Sequence, residues 1–208
     1  MRLLNLEQQA REKLDCSMVI TQVSSEDRPA RLTGQEQSHY SNLKYEHRKR
    51  DWLLGRSALK QVLSAFGRSC NTLELVYRHP QFSLTHADQL AFSAGSSSGA
   101  LGIGIDFEPR KKVNPEVGSW FLKENELDWL RSQNRFDDQL VRLWTIKEAA
   151  FKSLPNNSSM MLKDFTVSNP ENDSIRVSTP SATHCCEALC IQHLGGFLSV
   201  ATCKRIKQ

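Results

Sequence analysis

Three stretches of this chain place reactive side chains at spacings that matter. In LGIGIDFEP (Leu101–Pro109), a strand would turn Ile103, Ile105 and Phe107 to one face and Gly102, Gly104, Asp106 and Glu108 to the other. Residues two apart on a strand have Cα atoms about 6.6 Å apart, near enough for both carboxylates to converge on one hard cation. Two like charges held this close are unfavourable unless a cation, a proton or solvent relieves them. The glycines are expected to clear room beside them. The competing reading is a pair of exposed polar residues ending a strand before a proline.

The second stretch is LVRLWTIKEAAFKS (Leu140–Ser153). On a helix of about 100° per residue, Trp144, Lys147, Glu148, Phe151 and Lys152 fall within an arc of about 140°. One face therefore mixes cations, a carboxylate and aromatic surface. It is either a solvated Glu148–Lys152 pair beside a half-buried Trp or part of a site. The third stretch, FSLTHA (Phe82–Ala87), ends a strand with Thr85 and His86, two donors suited to phosphate oxygens. A Thr-His pair in a loop also serves purely structural ends.

These residues need elements to hold them. The chain has 208 residues, 39% hydrophobic and 24% charged, enough for one large domain or two small lobes, and the balance excludes a disordered chain. The net charge is only +4, yet residues 39–60 hold six basic groups against two acidic ones. Local basicity favours an anionic ligand or partner over bulk coating of nucleic acid. Six cysteines are too scattered for a disulfide scaffold, and Cys185-Cys186-x3-Cys190 lacks the C-x2-C spacing of zinc sites. Reduced thiols in a cytoplasmic protein are expected, with no export signal and no membrane span.

The first 35 residues are weakly patterned apart from a strand at Val19–Val23. Apolar positions Trp52, Leu59, Val62, Leu63 and Phe66 predict a helix from about Ser41 to Phe66, closed by Gly67 and carrying the basic segment. Strands are expected at Leu73–Tyr77, in FSLTH, in QLAFSAG and, past a Ser/Gly turn, in LGIGIDFE. A helix around Asn125–Gln133 and the Leu140–Ser153 helix follow. Short strands then fall near Phe165–Val167, Ser174–Val177, Glu187–Gln192 and Gly196–Cys203. The class is α/β or α+β.

The order of these pieces resembles the 4′-phosphopantetheinyl transferase superfamily, and in particular its surfactin-type, two-lobed branch. The family's patterns are a hydrophobic-Ser/Thr-His element, an hG-hD-hE strand (h hydrophobic) and a W-x-x-K-E-x-x-x-K helix. FSLTHA, IGIDFE and WTIKEAAFK match them in order, behind a basic helix containing LLGR (Leu53–Arg56), so that the likeness spans roughly Trp52 to Lys152. The resemblance implies a 4′-phosphopantetheinyl transferase-like fold of two similar lobes related by a pseudo-two-fold. The N-terminal lobe, 1–99, would bind coenzyme A and the C-terminal lobe, 100–208, would carry the metal and the catalytic helix.

The activity implied is Mg2+-dependent transfer of 4′-phosphopantetheine from coenzyme A to a serine of an apo acyl, peptidyl or aryl carrier protein, releasing 3′,5′-ADP. Asp106, Glu108 and Glu148 match the Mg2+ carboxylates. Lys147 and Lys152 match the helix lysines, with Lys152 at the phosphate, and Glu148 is also a candidate base for the carrier serine, directly or through water. Thr85 and His86 match the element that holds coenzyme A phosphates, Arg50 and Arg56 its contacts to the 3′-phosphate, and Trp144 is read mainly as packing. Arg78-His79-Pro80 replaces the family's Gly-Lys-Pro turn, leaving Arg78 and His79 as the turn's contacts to the nucleotide, and Phe107 replaces the commoner aliphatic residue between the carboxylates. The enzyme is expected to act as a monomer without nucleic acid.

Two other classes fit parts of the pattern. A metal-dependent nuclease could use Asp106, Glu108 and Lys111 but gives the Trp144–Lys152 helix and Thr85-His86 no task. A basic nucleic-acid-binding module would use Lys49, Arg56 and Lys60 on one helix face, and leaves the paired carboxylates unexplained.

Overall fold

The computed structural model describes residues 2–68, 71–75, 79–97, 100–111, 114–172, 174–181 and 183–206. Helix α1 (Arg2–Lys13) occupies part of the weakly patterned start, followed by β1 (Met18–Ser24). Leu6 and Ala10 of α1 and Leu14 just beyond it are fully buried, a stripe only one residue wide that includes an alanine. So narrow a stripe gives little periodic signal against the polar residues around it.

The helix expected from Ser41 is two helices, α2 (Gly34–Asn42) and α3 (Glu46–Ala65). Thr33 caps α2, its side chain accepting from the Glu36 amide while the Glu36 carboxylate accepts from the Thr33 amide. Leu43 and Tyr45 are extended and separate the two helices. Leu73 and Glu74, expected in a strand, lie in a 3-10 turn (Thr72–Glu74) opened by the Asn71 side chain; residues 76–77 of that stretch lie outside the described residues.

Hairpin strands β2 (Phe82–Ala87) and β3 (Leu90–Ser96) turn at Asp88-Gln89, both with positive φ. The second half holds β4 (Gly102–Pro109), α4 (Gly118–Phe121), α5 (Glu124–Arg131) and α6 (Phe136–Ser153), then β5 (Thr166–Ser168), β6 (Ile175–Ser178), β7 (His184–His193) and β8 (Gly196–Arg205). Asp137 and Asp138 in the first turn of α6 and Lys152 in the last suit its dipole.

Two antiparallel sheets result, ordered β1-β3-β2 and β4-β8-β7-β6-β5. Their topology repeats. A first strand leads through a long helix (α3 or α6) to a hairpin whose second strand pairs back onto the first, and β5 and β6 extend the second sheet. The class is α+β.

The sheets share a core. Ile103, Ile105 and Phe107 on β4 are fully buried with Leu6 and Ala10 of α1, Ile20 of β1 and Phe92 of β3. That is the apolar face the alternation predicts. The opposite face of β4 is covered as well, because α6 lies along it. A Cβ at Gly104 would run into the carbonyl of Ala149, and one at Gly102 into that of Ser153. The glycines therefore let a helix backbone rest on the strand; they do not open space beside the carboxylates.

Candidate active site

The site forms where the two sheets meet, β2 lying along β4. Ser83 on β2 accepts the Ile105 amide through its hydroxyl at 3.1 Å. Two residues on, Thr85 donates its hydroxyl to Asp106 Oδ1 at 3.1 Å. From α6, Lys152 Nζ donates to the same Oδ1 at 2.7 Å and to the Ile105 carbonyl at 3.3 Å. Three elements thus converge on one carboxylate that is only 4% exposed. Among the described residues its second oxygen, Oδ2, is buried with no hydrogen-bond partner. A buried carboxylate oxygen left bare is costly.

Glu108 follows on the same side of β4, half-buried, and accepts from Lys111 Nζ at 2.9 Å. Trp144 and Glu108 line one apolar hollow of about 160 Å3 with Val117 and Phe121. On α6, Trp144, Glu148 and Lys152 form an i, i+4, i+8 stripe. Trp144 reaches the Glu108 end and Lys152 the Asp106 end, so Glu148, half-buried, stands between them.

Among the described residues no three His, Cys, Asp or Glu side chains gather closely enough to hold a metal by themselves. Mg2+ commonly takes one or two carboxylates and fills its remaining positions with water and substrate phosphate. The bare Oδ2 of Asp106, with Glu108 beside it, fits such an ion.

A cleft of about 180 Å3 adjoins this cluster, lined by Arg56, Thr72, His79, Ser83 and Lys152 against a leucine-rich wall. Arg56 stacks on Trp52 with its guanidinium carbon 5.3 Å from the ring and donates to the Thr72 carbonyl at 3.3 Å. Burial pushes its pKa down, while the charge of Glu36 pushes it up. His79 Nδ1 accepts the Gln81 amide at 3.1 Å. Burial, and then the charge of Arg68, lower the His79 pKa. The neutral ring therefore carries its proton on Nε2, free to be offered to an anion. Lys152 borders both the cleft and the carboxylates.

Lys147 is a correction. Its side chain is fully buried, donating to Glu126 Oε2 at 2.6 Å and to the carbonyls of Phe121 and Phe165 at 2.7 and 2.8 Å. Burial lowers its pKa and Glu126 opposes that shift. With three acceptors inside the core of the second sheet, it has no route to a coenzyme A phosphate. The arc read from the helix was wide enough to reach its packed edge, and Lys147 sits there.

The remaining expected residues divide. Thr85 gives its hydroxyl to Asp106, while His86, its neighbour on an alternating strand, stands exposed on the side of Gly55 and Leu84. Arg50 is half exposed, 3.8 Å from Asp51, and does not line the cleft. Arg78 lies outside the described residues. Sequence reasoning missed Ser83 and Thr72. Ser83 was available from alternation, since it shares a strand face with Thr85; a threonine in a 3-10 turn gives no such signal.

A mixed α+β chain thus brings paired strand carboxylates and a helix lysine to the edge of a cleft that presents cations. Residues 102–203 match the family model of the 4′-phosphopantetheinyl transferase superfamily. The chain is 27% identical over 131 residues to the 4′-phosphopantetheinyl transferase gsp of Aneurinibacillus migulanus, covering 59% of this chain and 54% of that protein. The chain thus spans about half the length of this curated relative. Among solved structures it is similar to the holo-[acyl-carrier-protein] synthase (AcpS) of Thermotoga maritima, with a TM-score of 0.42 and 17% identity over 51% of this chain and 64% of that one.

Proposed function

We propose that this protein is a two-lobed, surfactin-type 4′-phosphopantetheinyl transferase that moves 4′-phosphopantetheine from coenzyme A to a carrier-protein serine and releases 3′,5′-ADP. The observation that carries this reading is Asp106, held through Oδ1 by Thr85 and Lys152 with Oδ2 left bare, at the edge of a cleft that presents cations. The repeated strand–helix–hairpin topology within one chain supports the two-lobed branch, with lobes 1–99 and 100–208.

In this reading Arg56, His79 Nε2 and Lys152 bind the phosphates of coenzyme A in the cleft, joined by Arg78, Thr85, His86 and Arg50. Asp106 and Glu108, with Glu148 standing beside them on α6, would hold Mg2+, which when bound would supply positive charge to the pyrophosphate. Lys152 remains beside the oxygen on which charge grows as the leaving group departs. Glu148 takes the proton of the attacking serine hydroxyl. Trp144 and Phe121 wall the apolar hollow beside Glu108 and keep bulk water from the acceptor. The enzyme works as a cytoplasmic monomer, and its carrier is an acyl, peptidyl or aryl carrier protein.

The test is incubation with coenzyme A, Mg2+ and an apo carrier protein, read by intact mass of the carrier. A gain equal to one phosphopantetheine group, absent when the carrier serine is replaced by Ala, is the expected result. An unmodified carrier together with Mg2+-dependent cleavage of DNA or RNA would instead support the nuclease reading.

A further inference from the structure

Beneath the last turn of α6, away from the carboxylates, lie two thiols that the proposed reaction does not use. Cys186 on β7 is directly opposite Cys203 on β8, and both are fully buried. The Cys203 carbonyl accepts the Leu101 amide at 3.0 Å, so its backbone bonds toward β4 and not toward Cys186. The two therefore form a non-hydrogen-bonded pair of the antiparallel ladder, the kind whose Cα atoms lie about 4.5 Å apart. That falls inside the range of about 4.4 to 6.8 Å that a disulfide accepts. Cys186 Sγ also touches α6, 3.5 Å from the Ser153 hydroxyl, which donates to it, and 3.7 Å from the Ala150 carbonyl. The other described cysteines of this sheet lack such a partner, Cys185 facing Lys204 and Cys190 facing Ser199.

We propose that Cys186 and Cys203 are a redox-sensitive dithiol, oxidised by a hydroperoxide to an intramolecular disulfide that loosens the last turn of α6. The chemistry balances with hydrogen peroxide. The Cys186 sulfur attacks one peroxide oxygen; the S–O bond forms, the O–O bond breaks, and the departing hydroxide leaves as water with the Cys186 proton. The Cys203 sulfur then attacks the sulfenic sulfur; the S–S bond forms, the S–O bond breaks, and a second water leaves with the Cys203 proton.

Cys186 is the attacking sulfur because its thiolate is the favoured one. A hydrogen bond from Cys203 lowers its pKa against the effect of burial, helped by Ser153, while the same contact and burial raise that of Cys203. Burial makes the reaction slow, since a structural thiol reacts only when its cover opens. Bonding to Cys203 draws Cys186 away from Ser153 and Ala150, and the helix turn loses both sulfur contacts.

The experiment exposes the folded full-length chain to hydrogen peroxide, blocks free thiols with iodoacetamide and cleaves after Glu187 and Phe197, so that Cys186 and Cys203 fall on different peptides. Mass spectrometry should find them joined, the link should persist in Cys185→Ser, disappear in Cys186→Ser and be reversed by dithiothreitol. Amide exchange across residues 150–154 of the oxidised chain should be faster by threefold or more. Both thiols alkylated after exposure that oxidises Cys185, a link formed only in denaturant, or a link with unchanged exchange would each overturn the proposal.

Discussion

Lys147 and Lys152 lie five positions apart on α6 and end in opposite environments. Lys147 is sealed inside the core with Glu126, whereas Lys152 is 20% exposed and faces Asp106 and the cleft. Removing one member of a buried ion pair leaves the other charge stranded, at about 3 kcal/mol or more. Lys147→Met should accordingly lower the urea midpoint strongly while turnover per folded molecule stays within about threefold, because no reacting group is touched. Lys152→Met should also lower the urea midpoint, because it strands the buried Asp106 carboxylate, but unlike Lys147→Met it should cut turnover per folded molecule by about a hundredfold, the scale of losing a positioned charge at a transition state. Both variants can be read by urea titration and carrier-modification kinetics on the same sample. Asp106→Asn and Glu148→Gln, which keep shape and remove charge, should each cut turnover by orders of magnitude and raise the Mg2+ concentration needed. Glu116→Gln, exposed and outside the cluster, should alter neither. Normal turnover of Glu148→Gln at limiting Mg2+ would remove Glu148 from the site.

The pairing of β4 with α6 holds these side chains in place, and it depends on glycine for a steric reason. Gly104→Ala would thrust a methyl group against the Ala149 carbonyl, where backbone, not a flexible side chain, must yield. A cost of about 2 to 3 kcal/mol is expected by urea titration, with turnover also reduced because α6 and its stripe shift away from Asp106. Strand alternation made the carboxylate side and the apolar side of β4 legible in advance, since a period of two leaves only two choices. Helical spacing likewise placed Trp144, Glu148 and Lys152 on one stripe. What it did not reveal was which edge of that arc faces the core, because Lys147 is buried by Glu126, twenty-one residues earlier. Nor could the sequence show that Gly104 answers to Ala149, a tertiary contact with no local pattern. α1 escaped for a different reason: its buried stripe is too narrow to stand out, although it closes the core shared by both sheets.

At the scale of the molecule the cleft is built from both halves, with Arg56 and Thr72 on one side and Lys152 on the other. The first side is fixed by Glu36 of α2, whose fully buried carboxylate accepts from Lys60 on α3 at 2.8 Å, from the Thr72 amide and hydroxyl at 2.8 and 2.6 Å, and from the Thr33 amide at 2.7 Å. Burial raises its pKa, but the hydrogen bonds from Lys60, Thr72 and Thr33 outweigh burial and hold it at about 2, below the ordinary 4.5. A depressed carboxylate pKa contributes stability that is fully present above the unfolded value and is lost as pH falls through the folded one. The contribution, about 2 to 3 kcal/mol, is therefore complete at neutral pH and disappears between about pH 4.5 and about pH 2. Glu36→Gln should be less stable than the parent by that amount at pH 7, and the gap should close across this window in urea titrations. Because Thr72 in turn accepts from Arg56, the variant should also bind coenzyme A less tightly, raising its KM severalfold with a smaller change in kcat. A stability gap that stays constant from pH 7 to pH 2 would mean that the carboxylate charge plays no part in holding α2, α3 and the cleft wall together. An unchanged KM would separate that scaffold from the coenzyme A site.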